Sequence, residues 1–464
     1  MALKITSVLK HNVAENDRME PRFFHLLVPL ENYCKVSNFD IRRFGDLILE
    51  ITDGEHAGQT FVEEGIRFVK NSAVKDFQVD LFDGFFITSE KHKQQKRSAL
   101  KALDILFTTI GKLGSTTIIH ENFGEANINQ NLVRIVIDKE IINPFYLVAY
   151  LNSKIVKQQI NALFTGNLQP ILTYPKIKNL KIIIPNKKIQ YDIASKYESA
   201  IKMRRDSLEL IENARKVYYD ALGVDFSSIS RKTCFSTTVS SLIENDLWTP
   251  DSCQPLYVNS DTAIKIKNTT DSLGNLVSII TGDEPGSKNY VKYLDKTDTD
   301  VPFIRTSDLL NFEIDSYPDH FIVNSIGEQL SQKFVAGDLL FSKDGRIGDC
   351  AMLTESDSPI IGTGIIGMRL NEKARELNLS AEYLFIVLST METGKYSAKR
   401  RTVVASTIPH LRQERVEDFS IPIIGKKEIS KIKNMVKKAF DMKEKSKKII
   451  SEIRFFLDST FNIE

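Results

Sequence analysis

The sequence has few of the residues that build metal sites or disulfide frameworks. Its four cysteines, Cys34, Cys234, Cys253 and Cys350, stand far apart with no C-x-x-C pair, which argues against a zinc ribbon and against a set of disulfides. The seven histidines are isolated, and none has a second histidine four residues away. We therefore expect packed or surface thiols, no metal site and no cofactor.

Long apolar runs and an excess of one charge are also missing. No apolar stretch approaches the roughly 20 residues that a membrane-spanning helix needs, and the first residues do not form the basic and then apolar pattern of a signal peptide. The sequence therefore predicts a cytoplasmic protein with no membrane partner. Its 62 Lys and Arg nearly balance its 60 Asp and Glu, so any surface that binds phosphate must be local.

What the chain does contain is a long amphipathic stretch near its middle, at residues 186–223. Apolar residues recur there mostly three or four apart, with charges between them, which predicts one long helix with a narrow apolar seam. Asn186 suits the N-cap and Gly223 the stop. The seam residues are Ile189, Ile193, Tyr197, Ala200, Met203, Leu208, Ile211, Ala214, Tyr218 and Ala221.

A second stretch of this kind runs from about residue 427 to 461. A polar run at residues 441–448 interrupts its seam. A helix as long as the first spans about 50 Å at 1.5 Å per residue. Two such helices would form a rod if they pair; the alternative is that each lies on its own domain. The seam residues of the second stretch are Ile429, Ile432, Val436, Ala439, Ile450, Ile453 and Leu457.

The chain also repeats itself. An Asp-Ile-Leu-Phe run at residues 104–107 recurs as Asp-Leu-Leu-Phe at 338–341, which is 234 residues later, and other matches drift only between 229 and 239 residues. Among them, Glu-Asn-Asp at residues 15–17 answers to the same triplet at 244–246. With 464 residues, 42% of them hydrophobic, the chain can fill two cores. We infer a tandem duplication in which each unit is one globular domain followed by one helix.

Each unit mixes short β-rich runs, Gly-containing turns and a helix, which is expected at about residues 144–163 in the first unit. This pattern predicts an α+β fold with a curved, mainly antiparallel sheet. Gly111, Gly114, Gly345 and Gly348 are expected to shape a tight loop after a strand. The strand-like runs of the first unit are residues 66–70, 104–110, 116–120, 133–138 and 180–184.

Four motifs follow one another in the second half: Phe-Ile-Arg-Thr-Ser-Asp-Leu at 303–309, Gly-Asp-Leu-Leu-Phe-Ser at 337–342 with Gly345 and Gly348, Ile-Pro-His-Leu at 408–411, and Ile-Pro at 421–422 ahead of a Lys-rich helix. The first half carries weaker versions of these motifs, with Asn71 and Ala73 where the second has Thr306 and Asp308. In the order of these elements, together with the duplication, the chain resembles the DNA sequence-specificity subunit of type I restriction-modification systems. The resemblance covers nearly the whole chain, from about residue 15 to 461.

The resemblance implies two target-recognition domains, at residues 1–185 and 224–424, each reading one half of a split sequence in double-stranded DNA. It implies that the helices at 186–223 and 425–464 pack antiparallel as a coiled-coil spacer. It further implies a subunit with no catalytic residues, which binds two copies of an adenine-N6 methyltransferase subunit and a restriction motor-nuclease subunit in defence against foreign DNA. The alternatives are an enzyme with its own methyltransferase or nuclease site, and a scaffold protein that does not bind DNA.

Clusters of cations and amides, among them one polar loop at residues 91–97, mark where DNA contact is expected, since cations suit phosphates and Gln can bond an adenine edge at two places. Solvated charged loops, or side chains that cap a turn, are the alternative. The glycines that frame the two loops have no side chains to hold DNA at a distance, which favours phosphate anchoring at these loops. The first-half candidates are Lys70, Asn71, Lys91, His92, Lys93, Gln94, Gln95, Lys96, Arg97 and Lys112. The second-half candidates are Arg305, Thr306, Ser307, Lys343, Arg346, Lys395, Tyr396, Lys399, Arg400 and Arg401.

Three other features are interpreted as structural. Asn-Pro-Phe-Tyr at residues 143–146 resembles the Asn-Pro-Pro-Tyr element with which adenine-N6 methyltransferases hold a flipped base. The second Pro is missing, so we expect a helix N-cap followed by Pro at the first helical position. His410 has Ile171 as its counterpart, which favours a packed residue. The ten lysines between residues 426 and 448 are expected on a solvated outer face or a docking face.

Overall fold

The structure is a computed structural model that describes residues 23–24, 39–56, 58–166, 169–330, 332–404 and 408–461. The first Glu-Asn-Asp triplet, at residues 15–17, and Cys34 lie outside these residues. Of the other cysteines, Cys253 and Cys350 are buried and Cys234 is exposed, all three as free thiols, as predicted. Among the described residues, no helix is both long and apolar enough to cross a membrane.

The chain divides into two compact units. The first holds the described residues up to Ile201, the short segment Tyr293–Asp295, and the chain from Lys448 onwards. The second holds residues 202–292 and 296–447. Each unit therefore contains a part of both long helices.

The first unit is built on a four-stranded sheet. Its strands run in the order Ile48–Asp53, Leu132–Ile137, Ile105–Thr108 and Thr116–Ile118, and each pairs antiparallel with the next. The other strands of the unit are Asp40–Arg43, Ile66–Val69, Val74–Lys75, Gln78–Val79, Phe86–Ile87, Ala126–Ile128 and Lys181–Ile184. Its shorter helices are Ser89–Gln94, Pro144–Leu151, Lys154–Leu163 and Tyr174–Lys178.

The second unit repeats that sheet. Its strands run in the order Val277–Thr281, Ile365–Leu370, Leu339–Ser342 and Cys350–Met352, again antiparallel throughout. The other strands are Thr270–Ser272, Tyr290–Lys292, Val301–Ile304, Leu309–Leu310, Glu313–Ile314, His320–Ile322, Ile360–Ile361, Val403–Val404, Pro409–His410 and Ser420–Pro422. Its shorter helices are Val239–Asn245, Pro255–Lys267, Asn324–Leu330, Glu372–Glu376, Ala381–Ser389, Tyr396–Arg401 and Gln413–Glu417.

Smaller sheets repeat as well. Ile66–Val69 pairs parallel with Ala126–Ile128, and Val301–Ile304 pairs parallel with Ile360–Ile361. Each unit also has a two-residue-turn hairpin. The first hairpin joins Val74–Lys75 to Gln78–Val79 and the second joins Leu309–Leu310 to Glu313–Ile314. The matching strand orders support a duplicated α+β domain with mainly antiparallel pairing.

The motif Asp-x-Leu-Phe has the same role in both units. Its Phe and Leu side chains point into the core, with Phe107 and Phe341 fully buried. Its Asp precedes the strand and accepts from an arginine of the neighbouring strand: Asp104 from Arg134 at 3.3 Å, and Asp338 from Arg369 at 2.7 Å. This motif therefore serves the sheet.

The two long helices have the predicted extent. The central helix spans Lys187–Leu222 and the C-terminal helix spans Lys426–Thr460. The Asn186 side chain accepts from the backbone N–H of Ile189 at 3.0 Å, and Gly223 ends the helix with φ +60°, so the predicted cap and stop are confirmed. Six of the ten seam residues of the central helix and all seven of the C-terminal helix are buried.

The predicted helix at residues 144–163 is two helices, so this prediction was wrong in detail. The chain leaves the helix at Asn152 and Ser153, where Asn152 Nδ2 donates to the carbonyl of Thr116 at 2.8 Å. Both residues are fully buried. At this point the hydrogen bond from the buried Asn152 amide to a strand takes the place of the hydrogen bonds that would continue the helix. The Asn143 side chain accepts from the N–H groups of Phe145 and Tyr146, which confirms the N-cap interpretation of residues 143–146.

Candidate nucleic-acid interface

The Gly-framed loops after Ile105–Thr108 and Leu339–Ser342 have one backbone design. In the first, the N–H of Gly114 donates to the carbonyl of Thr108 at 2.9 Å; in the second, the N–H of Gly348 donates to that of Ser342 at 3.0 Å. The hydroxyls of Thr108 and Ser342 each donate back into their own loop, to the carbonyls of residues 112 and 346. All four framing glycines have φ between +65° and +88°, a region that favours glycine. The prediction of tight loops is confirmed.

Around the first loop the candidate side chains already have protein partners. Asn71 Nδ2 donates to the carbonyl of Ile110 at 3.4 Å, which places Asn71 beside the loop. The Lys112 ammonium lies 4.8 Å from the centre of the Tyr293 ring. Lys70 Nζ lies over the rings of Phe61 and Phe85, and burial lowers its pKa. These contacts hold the side chains in fixed positions.

The second loop gathers a different set of groups. Its Lys343 and Gly345 exchange backbone hydrogen bonds with Leu411 and Pro409, and Lys343 Nζ lies 3.4 Å from a carboxylate oxygen of Asp344. Thr306 is adjacent, since a Cβ on Gly345 would lie 3.7 Å from the Thr306 hydroxyl. The structure thus brings Thr306 and Lys343 to one loop surface.

The prediction that His410 is packed was wrong. Its side chain is 48% exposed, and its Nδ1 pairs with the carboxylate of Asp344. Its counterpart Ile171 forms an isolated β-bridge with Ile110 in the first unit, and His410 forms one with Asp344 in the second. The backbone pairing is therefore the same in both units, whereas the side chain is apolar in the first and polar in the second. Ile171 is itself 38% exposed, so this position lies at the surface in both units.

Asp349 joins two candidates that are distant in sequence. One carboxylate oxygen lies 2.8 Å from Arg346 Nε and the other 2.8 Å from Lys395 Nζ. The three residues form an ion-pair cluster at the end of the second loop. Sequence reasoning missed Asp349, although its spacing of three from Arg346 was a usable signal.

The predicted polar loop at residues 91–97 is largely helical, which corrects the expectation. Thr88 caps the helix Ser89–Gln94 by accepting from the N–H of Lys91, and a 3₁₀ turn, Lys96–Ser98, follows. In the sequence, the run of charges that follows Thr88 obscures this N-cap signal. Lys93, Gln94 and Lys96 are exposed on this segment, whereas Lys91 is half-buried.

Three other candidates of this segment have partners in the first unit. His92 Nδ1 lies 2.6 Å from the Asn127 side-chain oxygen. Gln95 is buried, and its amide donates to Gln59 at 3.1 Å. Arg97 pairs with Asp53 at 2.6 Å.

The basic cluster at residues 395–401 is only partly presented to solvent. Lys399 is exposed. Arg400 Nη1 lies 3.2 Å from a carboxylate oxygen of Asp261, and Tyr396 packs against the Tyr257 ring at 5.0 Å. The Arg401 guanidinium lies over the Phe419 ring at 5.3 Å, and burial lowers its pKa. Most of this cluster therefore builds the domain.

The remaining candidates follow the strand Val301–Ile304. The backbone N–H of Arg305 donates to Asp308 at 2.9 Å, and the Arg305 guanidinium lies 4.0 Å from Asp319. Ser307 is exposed. His320 is close by, and burial, together with the charge of Arg305, lowers its pKa. Sequence reasoning did not select His320, because it stands alone in a strand.

Comparisons with known proteins agree with this duplicated architecture. The chain matches the family model described as type I restriction modification DNA specificity domain twice, over residues 52–213 and 267–454. It is 27% identical over 148 residues to the type I restriction enzyme EcoBI specificity subunit of Escherichia coli, covering 32% of this chain and 31% of the relative. It is 24% identical over 177 residues to the type I restriction enzyme MjaVIII specificity subunit of Methanocaldococcus jannaschii, covering 36% and 42%.

Less than half of either curated relative is thus spanned by its alignment. Among solved structures, the S subunit of a type I restriction-modification system from M. genitalium aligns over 92% of this chain and 96% of its own, with 13% identity and a TM-score of 0.35. The two family matches together cover more than half of the chain. The chain therefore belongs to the type I restriction modification DNA specificity domain family.

Proposed function

We propose that this chain is the non-catalytic DNA-reading subunit of a type I restriction-modification complex, and that each unit reads one half of a bipartite DNA site. The observation that carries the proposal is one domain topology present twice, with a family match in each copy. Two related readers on one chain fit a target with two half-sites. The loop side chains differ between the copies, which fits half-sites of different sequence.

The proposed reading surfaces are the Gly-framed loops and the segments beside them. In the second unit, Thr306, Lys343, Arg346 and Lys395 lie on or next to one loop. Cations held by neighbouring carboxylates can exchange those partners for phosphates, and a hydroxyl can contact a base edge. The exposed Lys93, Gln94 and Lys96 provide the corresponding polar surface of the first unit.

The long helices are proposed to fix the gap between the half-sites as an antiparallel coiled-coil spacer. Each compact unit holds a part of both helices. In the first unit, Lys196 of the central helix lies 3.8 Å from Glu452 of the C-terminal helix. In the second, Ile211 and Ala214 share a core with Ile432 and Val436. At about 1.5 Å per residue such helices span about 50 Å, which is between one and one and a half turns of DNA at roughly 34 to 36 Å per turn.

The partners proposed for the complex are two copies of an adenine-N6 methyltransferase subunit and a restriction motor-nuclease subunit, which supply the chemistry. The test is a matched deletion of one heptad from each long helix, assayed as methylation of DNA by the chain together with the methyltransferase subunit. We expect the half-site sequences to stay the same and the gap between them to change. An unchanged gap would refute the spacer role, and methyl transfer by the isolated chain would refute the non-catalytic role.

A further inference from the structure

The tip of the second hairpin meets both long helices in a buried ion cluster of the second unit. The Glu313 carboxylate is fully buried. Arg204 Nε of the central helix lies 3.4 Å from it, and Lys447 Nζ of the C-terminal helix lies 3.8 Å from it. One carboxylate of the globular domain is therefore within ion-pairing distance of both helices.

Two further contacts complete this cluster. Lys443 Nζ donates to the carbonyl of Asn311 in the hairpin turn at 2.7 Å, and Lys447 Nζ pairs with Asp357 at 2.8 Å. Lys443 is 1% exposed and Lys447 6% exposed. Both belong to the lysine-rich run that is expected on a solvated outer face or a docking face, and for these two buried residues that expectation is wrong. Burial lowers the pKa of Lys443 to about 8.

The first hairpin makes a corresponding junction in the first unit. The Asp76 carboxylate is fully buried and lies 3.6 Å from Arg454 Nη1 of the C-terminal helix and 3.5 Å from Lys157 Nζ. Next to it, the Tyr197 hydroxyl of the central helix donates to the carbonyl of Phe77 at 3.2 Å. Both long helices thus contact the hairpin in each unit, at its turn or at the residue next to the turn.

These contacts add little to stability, but they can fix the register between the hairpin and the long helices. Removing two charges from water costs about as much as their attraction returns, and well-packed apolar side chains would serve stability at least equally. An apolar seam, however, tolerates sliding, whereas a buried charge displaced from its partner has no substitute nearby. A slip of one helical residue moves the charges by about 1.5 Å along the axis and rotates them by about 100°.

We propose that the two hairpin junctions are register locks, and that Glu313 and Asp76 are positioning residues which hold each reading domain at one setting on the long helices. This inference rests on the proposed function, because the register then determines which gap between half-sites is accepted. One base pair of gap changes the half-site separation by about 3.4 Å and its angle by about 35°. A domain that can shift along or around the helices would accept neighbouring gaps.

The test uses a triple variant, Arg204→Met with Glu313→Leu and Lys443→Met. It removes three of the buried charges and leaves the Lys447–Asp357 pair in place. The matched control is Glu452→Gln, which removes an exposed charge from the C-terminal helix. Glu452 is 63% exposed, and Lys196, its partner on the central helix, is 58% exposed. Both are assayed in complex with the methyltransferase subunit on a DNA library with fixed half-sites and gaps that vary by single base pairs.

We expect the unaltered chain and the control to prefer one gap over its neighbours by about tenfold or more, the size of a mismatch effect in specific DNA binding. We expect the triple variant to keep its thermal unfolding midpoint and half-site sequences while this preference falls to about threefold or less. A folded triple variant with the original preference would overturn the inference. So would one that no longer folds, since the cluster would then be needed for stability. An unaltered chain with no gap preference would refute the proposed function instead.

Discussion

The two Gly-framed loops share a backbone and differ in almost every side chain that could reach a ligand. Thr108 and Ser342 make the same hydrogen bonds within their loops. Yet Lys112 lies over an aromatic ring, whereas Arg346 is one of two cations around Asp349. The backbone bonds maintain the loop after duplication, and the side chains are free to diverge. The scaffold and the proposed recognition surface can therefore be perturbed separately.

The largest expected difference between the units lies in the Asp-x-Leu-Phe motif. Asp104 and Arg134 are 5% and 7% exposed, whereas Arg369, which pairs with Asp338, is 40% exposed. Asp104→Ala leaves the buried Arg134 guanidinium with Glu50 as a carboxylate partner, so it should cost about 3–4 kcal/mol, toward the lower end for a broken buried pair. Asp338→Ala should cost about 1.5–3 kcal/mol, because Arg369 can turn to water. Urea unfolding followed by hydrogen exchange in each sheet would measure both costs, and equal costs would contradict the difference in burial.

Alkaline pH should stabilise both units through their buried lysines. Burial lowers the pKa of Lys157 in the first unit and of Lys443 in the second to about 8, below the unfolded value of about 10.4. Between these values the unfolded chain binds more protons, so the free energy of unfolding should rise by about 1.4 kcal/mol per pH unit for each lysine. Denaturant titrations from pH 8 to 9.5 would show this rise. Lys157→Met and Lys443→Met should each remove one share of it, and an unchanged slope in either variant would be evidence against this account.

A smaller contrast concerns Gly114 and Gly348. Both have positive φ, near +74° and +88°, so replacement by Ala should cost about 1–2 kcal/mol in each. A Cβ at Gly114 would also lie 2.3 Å from Ile160 Cδ1, whereas at Gly348 its nearest neighbour is 3.6 Å away. Gly114→Ala should therefore be the more destabilising of the two, as judged from thermal midpoints. The reverse order would mean that the two loops are not equivalent.

The smallest expected effect separates exposed from packed cations. If Lys399 contacts a phosphate, Lys399→Ala should weaken DNA binding a few-fold for all sequences and reduce the slope of log affinity against log salt by about 1. Arg401, which packs on Phe419, should affect unfolding more than that slope. Binding isotherms at four salt concentrations would measure both. If Lys399→Ala left the salt slope of the unaltered chain unchanged while Arg401→Ala reduced it, the assignment of Lys399 as the phosphate contact and Arg401 as a packed residue would be contradicted.

The duplication, the two long helices and most strands could be predicted because they depend on periodicity and on motif order. The Asn186 cap and the Asn143-Pro144 helix start have local signals, and the structure contains both. The break at Asn152 could not be predicted, because its cause is a hydrogen bond to Thr116, distant in sequence. Local apolar spacing carries no information about such a partner.

The candidate surface was harder to predict than the fold. A run of charges indicates exposure only on average, and Lys443 can be buried because the carbonyl of Asn311, 132 residues earlier in the chain, accepts a hydrogen bond from its ammonium. His410 was expected to be packed because its counterpart Ile171 is apolar, but Ile171 is itself exposed and Asp344 gives His410 a polar partner at the surface. Pairing between distant residues decides these positions.

The most direct test of the two-reader account is to sequence the methylated DNA of cells that express this chain with the proposed methyltransferase subunit, before and after residues 39–184 are exchanged for those of a related chain. We expect one bipartite methylated sequence with a constant gap, and we expect the exchange to alter one half-site only. A single contiguous site, or an exchange that alters both halves, would contradict the account.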